Sequence, residues 1–290
     1  MKFSNNIITI EVAEHGAEMV SLTKDGREYL WTGGERFWNR HAPILFPAVG
    51  KPYNNEIHVD GVAYPMKQHG FARDSEFTVL PSNTGLRLRM QESELSRSYP
   101  YHLGLEVCYR LEGSIVETTW TVENLDNKIA YFQIGAHPGF LLPDFEEGKI
   151  LNGYIRFYDN QGKLVAPAIT SFLDDGNRVP PDKKLLVPKE MPIMPRTFIK
   201  DAHIFEGGQV AKAELWDRHG QPVLNVSCPQ AEAFGVWAPS KEESCPFVCL
   251  EPWCGICDPK GFTDDISKRQ YIHRLTPGET YTFTYIIEIY

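Results

Sequence analysis

Short runs in which apolar and polar residues alternate, rich in Val, Ile, Thr, Tyr and Phe, recur from one end of the chain to the other and all but dictate a β fold. They occupy 7–12, 86–90, 105–111, 115–122, 131–134, 223–226, 247–250 and 281–289. A period of two turns one face of a strand to a core and the other to solvent, the habit of antiparallel sheets. Between the runs lie Lys24-Asp25-Gly26, Asp60-Gly61, Glu112-Gly113-Ser114 and Asn124-Leu125-Asp126-Asn127. Their glycines and Asx residues reach the backbone angles that tight hairpins require. No stretch keeps a capped helical period, and 21 prolines spread along the chain would interrupt long helices wherever they fell. The class expected is all-β, a large antiparallel β-sandwich.

The 290 residues, 42% of them hydrophobic, suffice to bury a large core. The most irregular stretch is 174–195, where Pro180, Pro181, Pro188, Pro192 and Pro195 alternate with charged residues. It reads either as a linker or as an excursion over one sheet. Strand-like runs of the same character on both sides favour the excursion, and hence one domain over 1–290. There is no internal repeat or low-complexity tract.

A net charge of −9 without any Lys/Arg-rich block disfavours nucleic acid and anionic membranes as partners, since both reward clustered positive charge. A small or neutral partner fits better. After one basic residue the amino terminus turns polar, and the apolar run that follows is too short for a signal-peptide core or a membrane span. A cytoplasmic location is expected.

Four of six cysteines, Cys245, Cys249, Cys254 and Cys257, crowd into one stretch. A zinc site of the usual kind takes two separated Cys-x-x-Cys pairs, and here only Cys254 and Cys257 have that spacing, so no metal is expected. Cys249 reads as a small hydrophobe in a buried strand, and a reducing cytoplasm disfavours disulfides.

Two islands break the strand pattern: Gln68-His69-Gly70-Phe71-Ala72-Arg73 and Ile134-Gly135-Ala136-His137-Pro138-Gly139-Phe140. Each sets a histidine against glycine or proline at the end of an apolar run, where a side chain can face a cavity instead of the core. Glu251, in Cys249-Leu250-Glu251-Pro252-Trp253, is a lone acid closing a hydrophobic segment. Two histidines and a glutamate suit proton transfer. Histidine titrates near neutral pH, and a glutamate gains basicity where apolar neighbours such as Leu250, Pro252 and Trp253 exclude water. Blander readings stand beside these. A histidine next to glycine or proline is more often a turn residue than a catalyst, Trp253 and Trp237 serve equally as core aromatics, and Asp201 could simply cap a turn. Arg40 and Arg73 could be ion-pair braces. His41, His203 and His273 receive no role.

Taken in order, the 69–73 and 135–140 islands, Asp201-Ala202-His203-Ile204-Phe205, Val236-Trp237-Ala238-Pro239 and 249–256 resemble the aldose 1-epimerase (galactose mutarotase-like) family, and within it the LacX-like branch, over nearly the whole chain. The resemblance implies a two-sheet supersandwich with a sugar on a concave face and a cofactor-free interconversion of α and β anomers of an aldohexose, free or phosphorylated. It further implies Glu251 as general base on the anomeric hydroxyl, His137 as acid at the ring oxygen, and His69 and Asp201 as hydrogen-bond partners of the sugar. Trp253 would offer the ring a flat apolar face. If both Arg40 and Arg73 face the site, their guanidinium forks suit a phosphate. The Asn-Arg-Ile motif of galactose mutarotases has no match in Gly50-Lys51-Pro52-Tyr53-Asn54-Asn55-Glu56. Lys51 stands as its substitute, and galactose as the natural substrate is in doubt. The competing reading is a non-catalytic carbohydrate-binding or sugar-sensing β-sandwich, for which an acid and a base together would be superfluous. A β-sandwich hydrolase or lyase would need a second catalytic carboxylate, such as Asp201, or a tyrosine beside the base.

Overall fold

In a computed structural model, which describes residues 1–239 and 244–290, the alternating runs are strands and the Asx-Gly pairs turn them. Strand Ile8–Val12 buries every second residue, and Ile115–Asn124 does so along its whole length. Lys24 pairs with Arg27 and Val59 with Val62. The residues between them all have positive φ: 53° and 78° at Asp25 and Gly26, 50° and 80° at Asp60 and Gly61. That is the demand of a two-residue hairpin whose twist matches its strands. Among the described residues, helix is confined to the single α turn Glu94–Arg97 and three short 3-10 turns.

Two large antiparallel sheets dominate. The larger runs from Leu164–Val165 through Tyr154–Tyr158, Lys212–Trp216, Pro222–Ser227, Thr280–Ile289, Ile115–Asn124, Leu103–Glu112 and Leu86–Met90 to Phe77–Leu80. The smaller is ordered His203–Glu206, Ala233–Trp237, Phe247–Cys254, Ile134–Ala136, Ile44–Leu45, with Gly139–Leu141 also paired to Phe247–Cys254. Phe157 of the larger sheet packs on Phe205 of the smaller with ring centroids 5.0 Å apart. Trp120 and Phe283 stack at 5.1 Å within the same buried core. The chain is thus nearly all-β and antiparallel, as its periodicity predicts.

Three stretches differ from the simple alternation, each for a local reason. The 131–134 run divides at Gln133 into Ala130–Phe132, paired with His273–Leu275, and Ile134–Ala136, paired with Phe247–Cys254. Gln133 is fully buried, and its amide accepts from the Val49 N–H and donates to the Gln270 carbonyl, which anchors the change of sheet. The 247–250 run does not stop at Glu251 but continues through Pro252 to Cys254, with all eight residues buried. A proline in a central strand removes a ladder donor. Here Leu250 donates to the Pro138 carbonyl at 3.2 Å, and the register that pairs Gly135 with Trp253 and Gly139 with Cys249 turns the same edge of Pro252 to Ala136. Having no N–H, Pro252 gives that edge no ladder bond, and the pairing with Ile134–Ala136 stops at Trp253.

The proline-rich 174–195 stretch is built of short strands. Phe172–Asp174 and Asn177–Val179 form a hairpin, Leu185–Leu186 pairs with Ala168–Ile169, and Glu190–Pro192 joins Tyr154–Tyr158. Arg178 ties the hairpin to the smaller sheet through Glu206 at 3.1 Å.

Candidate active site

His137 sits opposite Glu251 in the register of the two flanking strands. With Pro138 it separates two short strands that flank the central strand Phe247–Cys254, and its Nε2 lies 3.2 Å from Glu251 Oε2. Alternation puts Glu251 and Trp253 on one face of that strand. They border a cavity of about 260 Å³ whose wall also includes His69, Arg73, His137 and Asp201, with Trp38 and Trp237 closing one side. Residues remote in sequence therefore meet as the motif order implies.

Neighbouring strands make room for the tryptophan. Gly135 and Gly235 stand on either side of the central strand, and a Cβ at either would fall 2.7 Å or 2.6 Å from the Trp253 indole. The ring lies flat across two backbones that lack side chains. His69 and Asp201 share an unusual backbone: both are non-glycine residues with positive φ, 66° and 67°, at a cost of about 1–2 kcal/mol each. Gly70 follows at φ 69°, where a Cβ would strike the Phe46 carbonyl at 2.2 Å. His69 Nδ1 accepts from the Gly50 N–H at 3.1 Å, which in the neutral ring leaves the proton on Nε2, 3.3 Å from the Gln68 amide. Asp201 Oδ1 accepts from the Ala202 N–H at 2.7 Å.

The two arginines part company. Arg73 lines the cavity and donates from Nη2 to the Gln68 carbonyl at 2.7 Å. Arg40 is not on the cavity wall. Its Nη2 donates to Asp74 at 2.6 Å and its Nη1 to the Arg73 carbonyl at 3.2 Å. Nor does Lys51 point inward, since its ammonium is held by Asp175 at 2.8 Å. Sequence reasoning missed Trp38, which stacks on the His137 ring at 4.8 Å, while Trp237, weighed as a core aromatic, meets the same ring edge-on at 5.5 Å. An aromatic in the irregular stretch beside Arg40 was the one available signal.

Burial sets the electrostatics. Glu251 is 1% exposed and His137 8%. Dehydration, followed by the charge of Asp201, pushes the Glu251 carboxyl well above its ordinary range, and Trp253 offsets part of this. Burial, with Arg73 and Arg40 beyond it, takes His137 down to about 3. Burial likewise lowers His69, with help from Arg73 and His137, and brings Arg73 to about 10. Both members of the His137/Glu251 pair therefore resist charge, and over a wide pH range the pair holds one proton between two adjacent atoms. It can give a proton to one oxygen and take one from another.

All six cysteines are free. Among the described residues, two clusters place three metal-ligating atoms within 4.8 Å of one another: His137, Cys249 and Glu251 in the cavity, and Glu232, Cys254 and His273 outside it.

Comparisons with known proteins agree with the geometry. The sequence model for aldose 1-epimerase matches residues 1–288. Chromosomal protein LacX of Lactococcus lactis is 27% identical over 301 residues, covering 100% of this chain and 99% of LacX. A galactose mutarotase-like protein from Lactobacillus casei superposes with a TM-score of 0.89 at 28% identity, over 100% of this chain and 99% of the other. For a galactose mutarotase related enzyme from Lactobacillus acidophilus the values are 0.88 and 27%, over 100% and 97%.

Proposed function

The chain belongs to the aldose 1-epimerase family, and on that premise we propose that it interconverts the α and β anomers of an aldohexose by acid/base opening and closing of the sugar ring. The observation that carries this reading is the 3.2 Å approach of His137 Nε2 to Glu251 Oε2 on the wall of a cavity of sugar-compatible size. Glu251, as carboxylate, takes the proton of the anomeric hydroxyl while His137 gives one to the ring oxygen. The bond from the anomeric carbon to the ring oxygen breaks, and an open-chain aldehyde forms. Rotation about the adjacent carbon–carbon bond exposes the other carbonyl face, and closure reverses both proton transfers. No electrons are exchanged, so the chemistry needs only an acid, a base and a site that orients the ring. The carboxylate–imidazolium form required for opening differs from the neutral pair by passage of one proton across the same 3.2 Å.

The remaining wall residues suit a polyol. His69 Nε2 and the Asp201 carboxylate supply a donor and an acceptor for hydroxyls, and Trp253 supplies an apolar face for the C–H side of the ring. Of the two arginines, Arg73 alone borders the cavity, which it shares with the carboxyl groups of Asp201 and Glu251. A phosphate would meet that acidic pair with half of the expected guanidinium clamp, so we take a free aldohexose over a hexose phosphate.

Saturation-transfer NMR on equilibrated glucose, galactose and their 6-phosphates tests both points. Accelerated anomer exchange is expected for free sugars. Glu251→Gln should lower it by about 10²–10⁴-fold with the far-ultraviolet circular dichroism unchanged. Equal rates for the variant and the unmodified protein would remove Glu251 as the base. Calorimetric sugar binding without faster exchange would favour a non-catalytic binder.

A further inference from the structure

The face of the central strand opposite Glu251 carries a second constellation, unrelated to the sugar cavity. Cys254 ends the strand, and strand alternation turns it away from the face that bears Glu251 and Trp253. Glu232 lies alongside because its N–H donates to the Trp253 carbonyl at 2.9 Å. His273 arrives from the short strand His273–Leu275, opposite Phe132. Its ring is held against Tyr281 at 4.6 Å and Phe132 at 5.7 Å. Three segments distant in sequence thus deliver a thiol, an imidazole and a carboxyl whose ligand atoms all lie within 4.8 Å of one another, with His273 Nε2 3.3 Å from Glu232 Oε2.

We propose that Glu232, Cys254 and His273 bind one divalent transition-metal ion of the zinc type. Metal–ligand bonds of about 2.0–2.3 Å on a tetrahedral ion put neighbouring ligand atoms roughly 3.3–3.8 Å apart, and the imidazole–carboxylate distance already has that value. Beside the His273–Glu232 pair, Cys254 Sγ donates to the Gln230 carbonyl at 3.2 Å and accepts from the Tyr281 hydroxyl at 3.4 Å, so the sulfur is held within reach of both groups and an ion would replace its bond to Gln230. The donor set selects the ion. Thiolate and imidazole together suit zinc and its neighbours, whereas magnesium and calcium take oxygen.

Access and geometry agree with this assignment. Cys254 is fully buried, but the His273 and Glu232 side chains are 19% and 33% exposed, so an ion can enter from solvent. Binding breaks the S–H bond and forms a metal–sulfur bond, with the proton released to water; a water molecule completes the fourth corner. The ion would clamp the end of the strand that carries Glu251 and Trp253 to the strand beside it. The sequence hides this site because the usual search pairs Cys254 with Cys257, while its partners here lie far along the chain in both directions. The cavity cluster of His137, Cys249 and Glu251 is the less suitable host, since an ion there would occupy the atoms that exchange protons.

Titrating chelator-treated full-length protein with Co²⁺ tests the assignment, because thiolate ligation produces a charge-transfer band in the near ultraviolet whether or not the protein is active. The expected result is a band that saturates at one ion per chain, is displaced by Zn²⁺, survives Cys249→Ser and is lost in Cys254→Ser. Absence of the band, or its loss in Cys249→Ser and survival in Cys254→Ser, overturns the proposal. If Cys254→Ser does not fold, Glu232→Gln and His273→Gln, both at partly exposed positions, decide the matter. Each should weaken Co²⁺ binding by more than the roughly 10–100-fold that loss of an outer-shell partner costs, and a smaller loss in both refutes the site.

Discussion

At the scale of single residues, dehydration sets the electrostatics of the cavity. His137 is wedged between Trp38, Trp237 and His69, and burial brings it to about 3. Trp38→Ala would admit water to that ring and move its titration back toward the ordinary histidine value. The acid limb of the anomer-exchange pH profile should then shift upward, with the His137 ring-proton NMR titration following it, and Trp38→Phe should restore both. An unchanged profile in Trp38→Ala would show that the stacked indole does not control the imidazole. His69, His137 and Glu251 were legible in the sequence because glycine and proline beside a histidine, and an isolated acid in an apolar run, are local anomalies. Trp38 was not, since an aromatic in an aperiodic stretch looks the same whether it lines a cavity or fills a core. Arg40 illustrates the opposite hazard. Its guanidinium is suited to anions, but it is held by Asp74 at 2.6 Å, a partner too remote in sequence to pair by inspection.

At the scale of elements, the central strand is organised around what its neighbours omit. Gly135 and Gly235 leave room for the Trp253 indole, and the ladder stops at Trp253, before Pro252, which cannot donate to Ala136. Gly235→Ala would bring a methyl within 2.6 Å of that ring and force either the indole or the strand to move. We expect a loss of about 1–3 kcal/mol in stability, measured by urea denaturation, together with a raised KM for the sugar because the apolar seat tilts. Unaltered stability and KM would mean that the indole is free to relocate. The strand itself was read from sequence only as far as 250, because Glu251 and Pro252 break the apolar run. Its extension to Cys254 depends on a ladder partner that stops and restarts across a histidine.

At the scale of the whole molecule, several buried titratable groups make the fold sensitive to acid. His137 falls to about 3, His203 to about 4, and His69 lies well below its usual value, in each case through burial. As pH drops through the ordinary histidine range, the unfolded chain gains three protons that the folded protein refuses. Glu251 offsets one of these, because it is protonated in the fold at pH values where the unfolded chain would leave it ionised. His41, raised by Glu18, stabilises the fold fully below its unfolded value and adds no slope there. Net uptake by the unfolded state means that stability falls with falling pH, by about 1–3 kcal/mol per unit between roughly pH 6 and 4.5. Urea midpoints measured at pH 7, 6 and 5 check this, and a flat series would contradict the burial of the three histidines.

What the sequence determined by itself was the strand content, the hairpins and the choice of His137 and Glu251 as candidates, because period two, Asx-Gly turns and isolated polar residues in apolar runs are local properties of a chain. Tertiary structure alone decided which of the candidates share a cavity. Arg73 and Asp201 line it and Arg40 does not; Trp38 enters it; and Cys254 turns from Cys257 toward Glu232 and His273. These outcomes depend on strand order and on contacts between residues far apart in the chain, and on dehydration, which exists only once the sheets have closed over the site.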